Sequence, residues 1–315
     1  MTSNKNLIAI GRSRYLYDGI KYLTEKGYDF KAIITDEPYD EYDIKSQDFC
    51  ELASRIGASC LMVKTIPTDT IANMVESYNI HAAISANWRY TLSNNFLNLF
   101  RAGVLNFHLG NLPDYKGNAT VNWSIINGEK YIYANIHRMD SELDAGDVIS
   151  RETIPITSDT YVSDIIYQAE QTAPRLFEKA VSMMMKDPKA YMAKGSSDGL
   201  RCYPRLPEDS QINWNQTSDE ISKIVRASSH PYQGAYSFIQ GEKVIIWRAK
   251  PVELPDSILA VPGHVVKLDK SDNSIFVACR NGLMKIQEIE YKGLNLQPAE
   301  LVKSIRARFK FLPND

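Results

Sequence analysis

The sequence predicts an α/β protein: a mostly parallel sheet with helices on both faces, followed by a smaller β-rich domain. Three observations carry this. Short apolar runs alternate with amphipathic segments through the first half of the chain, as strands joined by helical crossovers do. The 315 residues exceed one typical domain. Between about Lys194 and Asp209 the texture changes to "KGSSDGLRCYPRLPEDS", and such a Gly-, Ser- and Pro-rich stretch marks a connector. The expected division is residues 1–200 and 201–315.

Each element has its own signal. "NLIAIG" reads as a strand, and Tyr15 to Lys26 as a helix ended by Gly27. "FKAIIT" is a second strand, and Ser46 to Ile56 a helix with Gly57 as its cap. "CLMV", the helix Asp69 to Tyr78, the strand "HAAISA", the helix Ser93 to Phe100 and the strand "GVLNFH" continue the alternation. Ala119 to Ile126 reads as a short helix, "IYANIHRM" and "GDVISRETIPI" as strands, and Tyr161 to Met185 as a long helix. Past the connector lies one helix near Thr217 to Ser228, and then short alternating runs such as "KVIIWRAK", "SIFVAC" and "LMKIQEIEY".

Composition narrows the function. A net charge of −2 gives no global attraction to nucleic acid or an anionic membrane. No window approaches the roughly 20 apolar residues that a membrane span needs. "MTSNKNLIAIG" runs straight into a strand and lacks the apolar core of a signal peptide. Cys50, Cys60, Cys202 and Cys279 are scattered without a Cys-x-x-Cys pair and read as buried free thiols. Together these features predict a cytoplasmic protein with reduced cysteines and no metal site.

Chemistry concentrates in "VLNFHLGNLPDYKG", Val104 to Gly117. Residues i and i+2 of a strand share a face, so Asn106 and His108 project together where the strand ends. Ligands of open parallel sheets sit beyond such ends. Downstream, "RMDSELDAGDVI" carries Asp144. Asp144 either begins a turn with Gly146 or accepts a hydrogen bond from His108, and spacing leaves both readings open. A carboxamide donates to a developing oxyanion, an imidazole moves a proton near neutral pH, and a carboxylate orients the imidazole. None of the three is a strong nucleophile here, so the set suits acyl transfer to a nucleophile that the substrate brings, such as an amine. His137, inside a strand beside Arg138, reads as a packed or hydrogen-bonded residue. A metal site of His108, His137 and Asp144 is the weaker alternative. His81, His230 and His264 read as structural.

The stretch from Asn106 to Val148 resembles the N10-formyltetrahydrofolate-dependent formyltransferases. The resemblance rests on Asn106 and His108, "LPDYKG" at Leu112 to Gly117, "NGE" at Asn127 to Glu129, Met139, and "DAG" at Asp144 to Gly146. It extends to "YPRLPEDSQINW" and "IVRASSHPYQGAYSF". It implies a Rossmann-like catalytic domain, an OB-like second domain and N10-formyltetrahydrofolate as co-substrate. Asn106 and His108 would bind the formyl oxygen, His108 would help move the amine proton, and Asp144 would orient His108. Trp88, Arg89, Tyr90, Leu109, Gly110, Leu112, Met139 and Asp140 would line the folate site. Arg12, Tyr115 and Lys116 would meet the acceptor. One departure stands out: Gly110-Asn111-Leu112-Pro113 replaces the Ser-Leu-Leu-Pro of many members.

The family includes enzymes acting on methionyl-tRNA and enzymes acting on nucleotide-linked amino sugars. RNA binding needs cationic contacts. The tRNA enzymes carry them in a loop after the second strand, where this chain has "TDEPYDEYDIKSQD", with Asp36, Glu37, Asp40, Glu41, Asp43 and Asp48 against Lys45. "HPYQGAYSF" is similar to the sugar enzymes, particularly the formyltransferase acting on UDP-4-amino-4-deoxyarabinose. The resemblance therefore implies a UDP-, dTDP- or GDP-linked amino sugar as acceptor, in surface polysaccharide (O-antigen, capsule or lipid A) synthesis. Nucleic acid and membrane are not expected as partners, and a homodimer is compatible. The alternatives are methionyl-tRNA formyltransferase and formyltetrahydrofolate hydrolase. The basic "KSIRARFKF" near the C-terminus reads as a solvated helix face.

Overall fold

The computed structural model describes residues 5–37, 42–255 and 257–311. The chain forms two units. One comprises Met1–Thr120, Tyr131–Pro155 and Ile166–Cys202, the other Val121–Lys130, Ile156–Ile165 and Tyr203–Asp315. The second unit thus takes two short segments from inside the first.

In chain order the first unit is built from β1 (Asn6–Gly11), α1 (Arg14–Glu25), β2 (Asp29–Thr35), α2 (Ser46–Ile56), β3 (Ser59–Met62), α3 (Thr68–Tyr78), β4 (Ala82–Ala86), α4 (Asn94–Leu97), β5 (Val104–Leu109) and β6 (Lys116–Gly117). After α5 (Thr120–Ile126) come β7 (Tyr131–Arg138), β8 (Val148–Pro155), α6 (Val162–Lys186) and β9 (Arg201–Cys202). The main sheet has the order β3-β2-β1-β4-β5-β7-β8. β1 to β5 pair in parallel, and β7 runs antiparallel to β5 and β8. Leu7, Ile8, Ala9 and Ile10 are all fully buried, as a central strand covered on both faces requires. On one face Phe107 lies 6.1 Å from the Phe177 ring of α6 and 4.8 Å from Tyr15 of α1. On the other, Val104, Ile10 and Ala83 pack with Ile71 of α3 and Phe96 of α4. Alternation along β5 therefore turns Asn106 and His108 toward the α3–α4 face.

The order of strands reverses at β1, which lies between β2 and β4. Crevices for ligands open at such a switch point. Gly11 closes β1 there at φ +133°, and a Cβ on it would stand 2.0 Å from the Ala86 carbonyl oxygen, so no other residue fits.

The second unit contains α7 (Ser218–Ser228), β10 (Ala235–Ile239), β11 (Glu242–Val252), β12 (Val265–Leu268), β13 (Ile275–Ala278), β14 (Leu283–Tyr291), β15 (Leu294–Leu296), α8 (Pro298–Leu301) and β16 (Phe309–Lys310). Its antiparallel sheet, order β12-β13-β14-β11-β10-β16, curls about a core that includes Trp214, Val225, Ile246, Ile286 and Phe309. Thr217 caps α7, accepting from the Glu220 N–H while its own N–H donates to the Glu220 carboxylate at 2.8 Å.

Two expectations need correction. Cys50 and Cys60 are not free thiols: they form a disulfide. Gly57, at φ +74°, ends α2 and turns the chain back so that the two Cα atoms come within 5.1 Å. Cys202 and Cys279 are free and buried. The basic C-terminal stretch is not helical. Phe309 and Lys310 pair with β10, with Phe309 buried and Arg306, Arg308 and Lys310 exposed. Arg308 and Lys310 flank buried Phe309 with the two-residue period of a strand.

Candidate active site

The site assembles from the ends of β5 and β7 and the loop that leads to β8. Asp144, held at φ +49° in that loop, is its centre. One carboxylate oxygen, Oδ2, accepts the Gly117 N–H at 2.9 Å and lies 3.5 Å from His108 Nδ1. The other, Oδ1, lies 3.4 Å from His137 Nε2. Burial alone would raise the Asp144 pKa. The two imidazoles and the Gly117 N–H outweigh it and hold the carboxyl well below its ordinary range.

Asn106, two residues before His108, stands 3.1 Å from His137 Nε2. Register explains this: Asn106 is paired with Ser85 on β4 and with His137 on β7, so the three occupy one row across the sheet. His108 Nε2 lies 2.8 Å from the Tyr115 carbonyl oxygen and donates to it, since a carbonyl only accepts. Asn106, His108 and Asp144 thus come together, and His137, read from sequence as a packed strand residue, joins them.

Other residues hold the loop in place. The Lys116 ammonium, 5 % exposed, donates to the carbonyls of Ser196, Ser197 and Asp198. Asn111 accepts the Tyr133 N–H at 2.9 Å and donates to the Tyr131 carbonyl at 3.2 Å. Arg151 donates to the Leu112 carbonyl at 3.1 Å. Leu109, Leu112 and Tyr115 are buried. A Cβ on Gly110 would stand 2.5 Å from His108 Nε2 and 2.4 Å from the Tyr115 oxygen.

The segment after β4 lies against a cavity of about 250 Å³ lined by Lys64, Trp88, Tyr90, Thr91, Leu92 and Phe96 among others. Trp88 packs on the α3–α4 core, and its indole N–H has no partner among the described residues. Met139 packs on the same core, and exposed Asp140 accepts the Glu142 N–H at 2.9 Å. Arg89 pairs with buried Asp36 at 2.9 Å. Arg12, 3 % exposed, donates to the carbonyls of Asn87 at 3.1 Å and Glu37 at 3.0 Å. Of the acidic loop, Asp43 pairs with Arg14, and Asp40 and Glu41 lie outside the described residues. Among the described residues, no group of three His, Cys, Asp or Glu is placed to hold a metal ion, and no helix is long and apolar enough to cross a membrane.

Comparison with known proteins bears on this geometry. The family described as "Formyl transferase" matches residues 16–181, and "Formyl transferase, C-terminal domain" matches residues 206–305. The structure is similar to that of HypX from Aquifex aeolicus, solved with tetrahydrofolic acid: TM-score 0.63, 17 % identity, covering 95 % of this chain and 47 % of that one. The chain therefore spans about half the length of HypX. It is similar to the N-formyltransferase from Helicobacter canadensis, solved with folinic acid and dTDP-3-aminofucose: TM-score 0.63, 18 % identity, covering 90 % of this chain and 98 % of that one. It is also similar to methionyl-tRNA formyltransferase from Clostridium thermocellum: TM-score 0.54, 14 % identity, covering 81 % of this chain and 96 % of that one. These identities speak for the shared fold, while the first family match takes in more than half of the sequence and holds Asn106, His108 and Asp144. The chain belongs to the formyl transferase family.

Proposed function

We propose that the protein transfers a formyl group from N10-formyltetrahydrofolate to the amine of a nucleotide-activated amino sugar. The observation that carries the reading is the convergence of Asn106, His108 and Asp144 at the carboxyl end of β5. A carboxamide and an imidazole presented together suit a formyl oxygen that gains negative charge. The cavity lined by Trp88, Tyr90, Leu92 and Phe96 suits a flat heteroaromatic ring.

When bound, the folate supplies the formyl group. The rest falls to the chain. Asn106 offers its N–H groups to the formyl oxygen as the acceptor amine adds to the carbon; the carbon–N10 bond then breaks, and the proton lost by the amine passes to N10 of the departing tetrahydrofolate. His108 holds a proton at Nε2, and Asp144 keeps the ring turned through Nδ1. Removing one such donor costs about 3–4 kcal/mol of transition-state stabilisation.

Charge supports a sugar acceptor over tRNA. The segment after β2, Asp36 to Asp48, holds Lys45 as its one cation where a phosphate backbone would need several, Arg89 and Arg14 beside it pair with Asp36 and Asp43, and the net charge is −2. The test is a formyl-transfer assay with N10-formyltetrahydrofolate and a panel of UDP-, dTDP- and GDP-linked 3- and 4-amino sugars, with charged initiator tRNA alongside. Transfer to a sugar nucleotide is expected. Transfer to tRNA alone overturns the acceptor, and release of formate without an acceptor moves the reading to a hydrolase.

A further inference from the structure

His137 is 1 % exposed, and its ring nitrogens have unequal surroundings. Nδ1 has no hydrogen-bond partner among the described residues. Nε2 lies between the Asp144 carboxylate at 3.4 Å and the Asn106 carboxamide at 3.1 Å. A neutral imidazole carries one N–H. Placed on Nδ1, that N–H would be a buried donor without an acceptor, and the Nε2 lone pair would face a carboxylate. An imidazolium would leave the same orphan at Nδ1. Only the Nε2–H form leaves no buried donor unmet.

That choice fixes the neighbour. An Nε2–H cannot accept from Asn106, so the amide edge facing it must be the oxygen. A half-turn of the carboxamide exchanges oxygen and nitrogen in the same place. Both N–H donors of Asn106 are then left for a ligand. We propose that His137 is a positioning residue: held as the Nε2–H tautomer by Asp144, it fixes the carboxamide of Asn106 so that its N–H₂ group faces the formyl oxygen. The inference deepens the formyl-transfer reading and rests on it for the kinetic part of its test.

The test has two arms. In the 15N-labelled full chain, long-range 1H–15N correlation reports the tautomer of each histidine, and His137→Gln assigns the signal. The Nε2–H form is expected; an Nδ1–H form or an imidazolium at neutral pH overturns the proposal. This arm needs no activity, so it stands if no acceptor is found and the formyl-transfer reading fails. In the kinetic arm, His137→Leu should lower kcat by about tenfold or more with KM for folate nearly unchanged. His137→Gln, whose amide nitrogen can occupy the Nε2 position, should restore most of it. In an Asn106→Ala background His137→Leu should add no further loss, because the two act as one unit. A full additional loss there, or a His137→Gln enzyme as slow as His137→Leu, assigns His137 a packing role alone.

Discussion

His108 Nε2 and the Tyr115 carbonyl oxygen are joined by a 2.8 Å hydrogen bond, and Gly110 leaves the space in which they meet. A methyl group at 110 would overlap both partners, at 2.5 Å and 2.4 Å. Gly110→Ala should therefore turn the imidazole away from Asp144 and cut kcat by roughly two orders of magnitude, the scale of losing one transition-state donor. Far-UV circular dichroism should stay unchanged. An Ala variant with normal turnover would show that the ring does not need this seat.

Asn106→Ala and His108→Ala should each lower kcat by about 10²–10³ in single-turnover assays, with KM for folate much less affected. Equal losses in the single and double variants would mark the two as one oxyanion-binding unit.

Asp144 links the site to stability. Its folded pKa is depressed, so between that value and the ordinary carboxylate range the unfolded chain binds the extra proton. Stability then rises with pH. The contribution is complete above about pH 4–5 and is lost as pH falls toward the folded pKa. Urea titrations should show the wild type losing stability through the acid range faster than Asp144→Asn. Parallel acid limbs would mean that Asp144 is not paired in the folded protein.

Lys116 is expected to be worth about 2–3 kcal/mol, since its removal leaves three carbonyls without a charged donor. Lys116→Met should lower Tm and raise amide exchange selectively in residues 195–202. Uniform exchange across the sheet would place its role elsewhere.

The four cysteines should separate by chemistry. Burial pushes the Cys202 thiol up to about 11 and Cys279 up to about 12, so neither forms thiolate at pH 8. Alkylation of the native chain should label none of the four. Unfolding should expose Cys202 and Cys279, and reduction should be needed for Cys50 and Cys60.

How legible all this was depended on the range of the interaction. Asn106 and His108 share a face by local geometry, and the helices announce themselves by period. His137 entered the site through the antiparallel register of β7 on β5; alternation in "YIYANIHR" gives a strand but not its partner. The signal that could have found it is the antiparallel return of β7 along β5, counted residue by residue back toward Asn106. Lys116 looked available for a substrate because its three acceptors lie some eighty residues further along. The Cys50–Cys60 bridge depended on the angle at which β3 leaves Gly57. Leading into the last strand, Ala307 and Phe309 alternate with Arg306, Arg308 and Lys310, a pattern too short to separate from a helix face.

The Lys116 clamp has a consequence for the order in which the protein is made. Asn106, His108, His137 and Asp144 are all synthesised before Ser196, Ser197 and Asp198 exist to receive the ammonium. A nascent chain stalled at the end of α6 would carry every proposed catalytic side chain yet have an unanchored loop beside them. Competence would arrive only when the segment beyond α6 clears the ribosome and closes over Lys116, so fragments cut just after that helix are poor stand-ins for the catalytic unit.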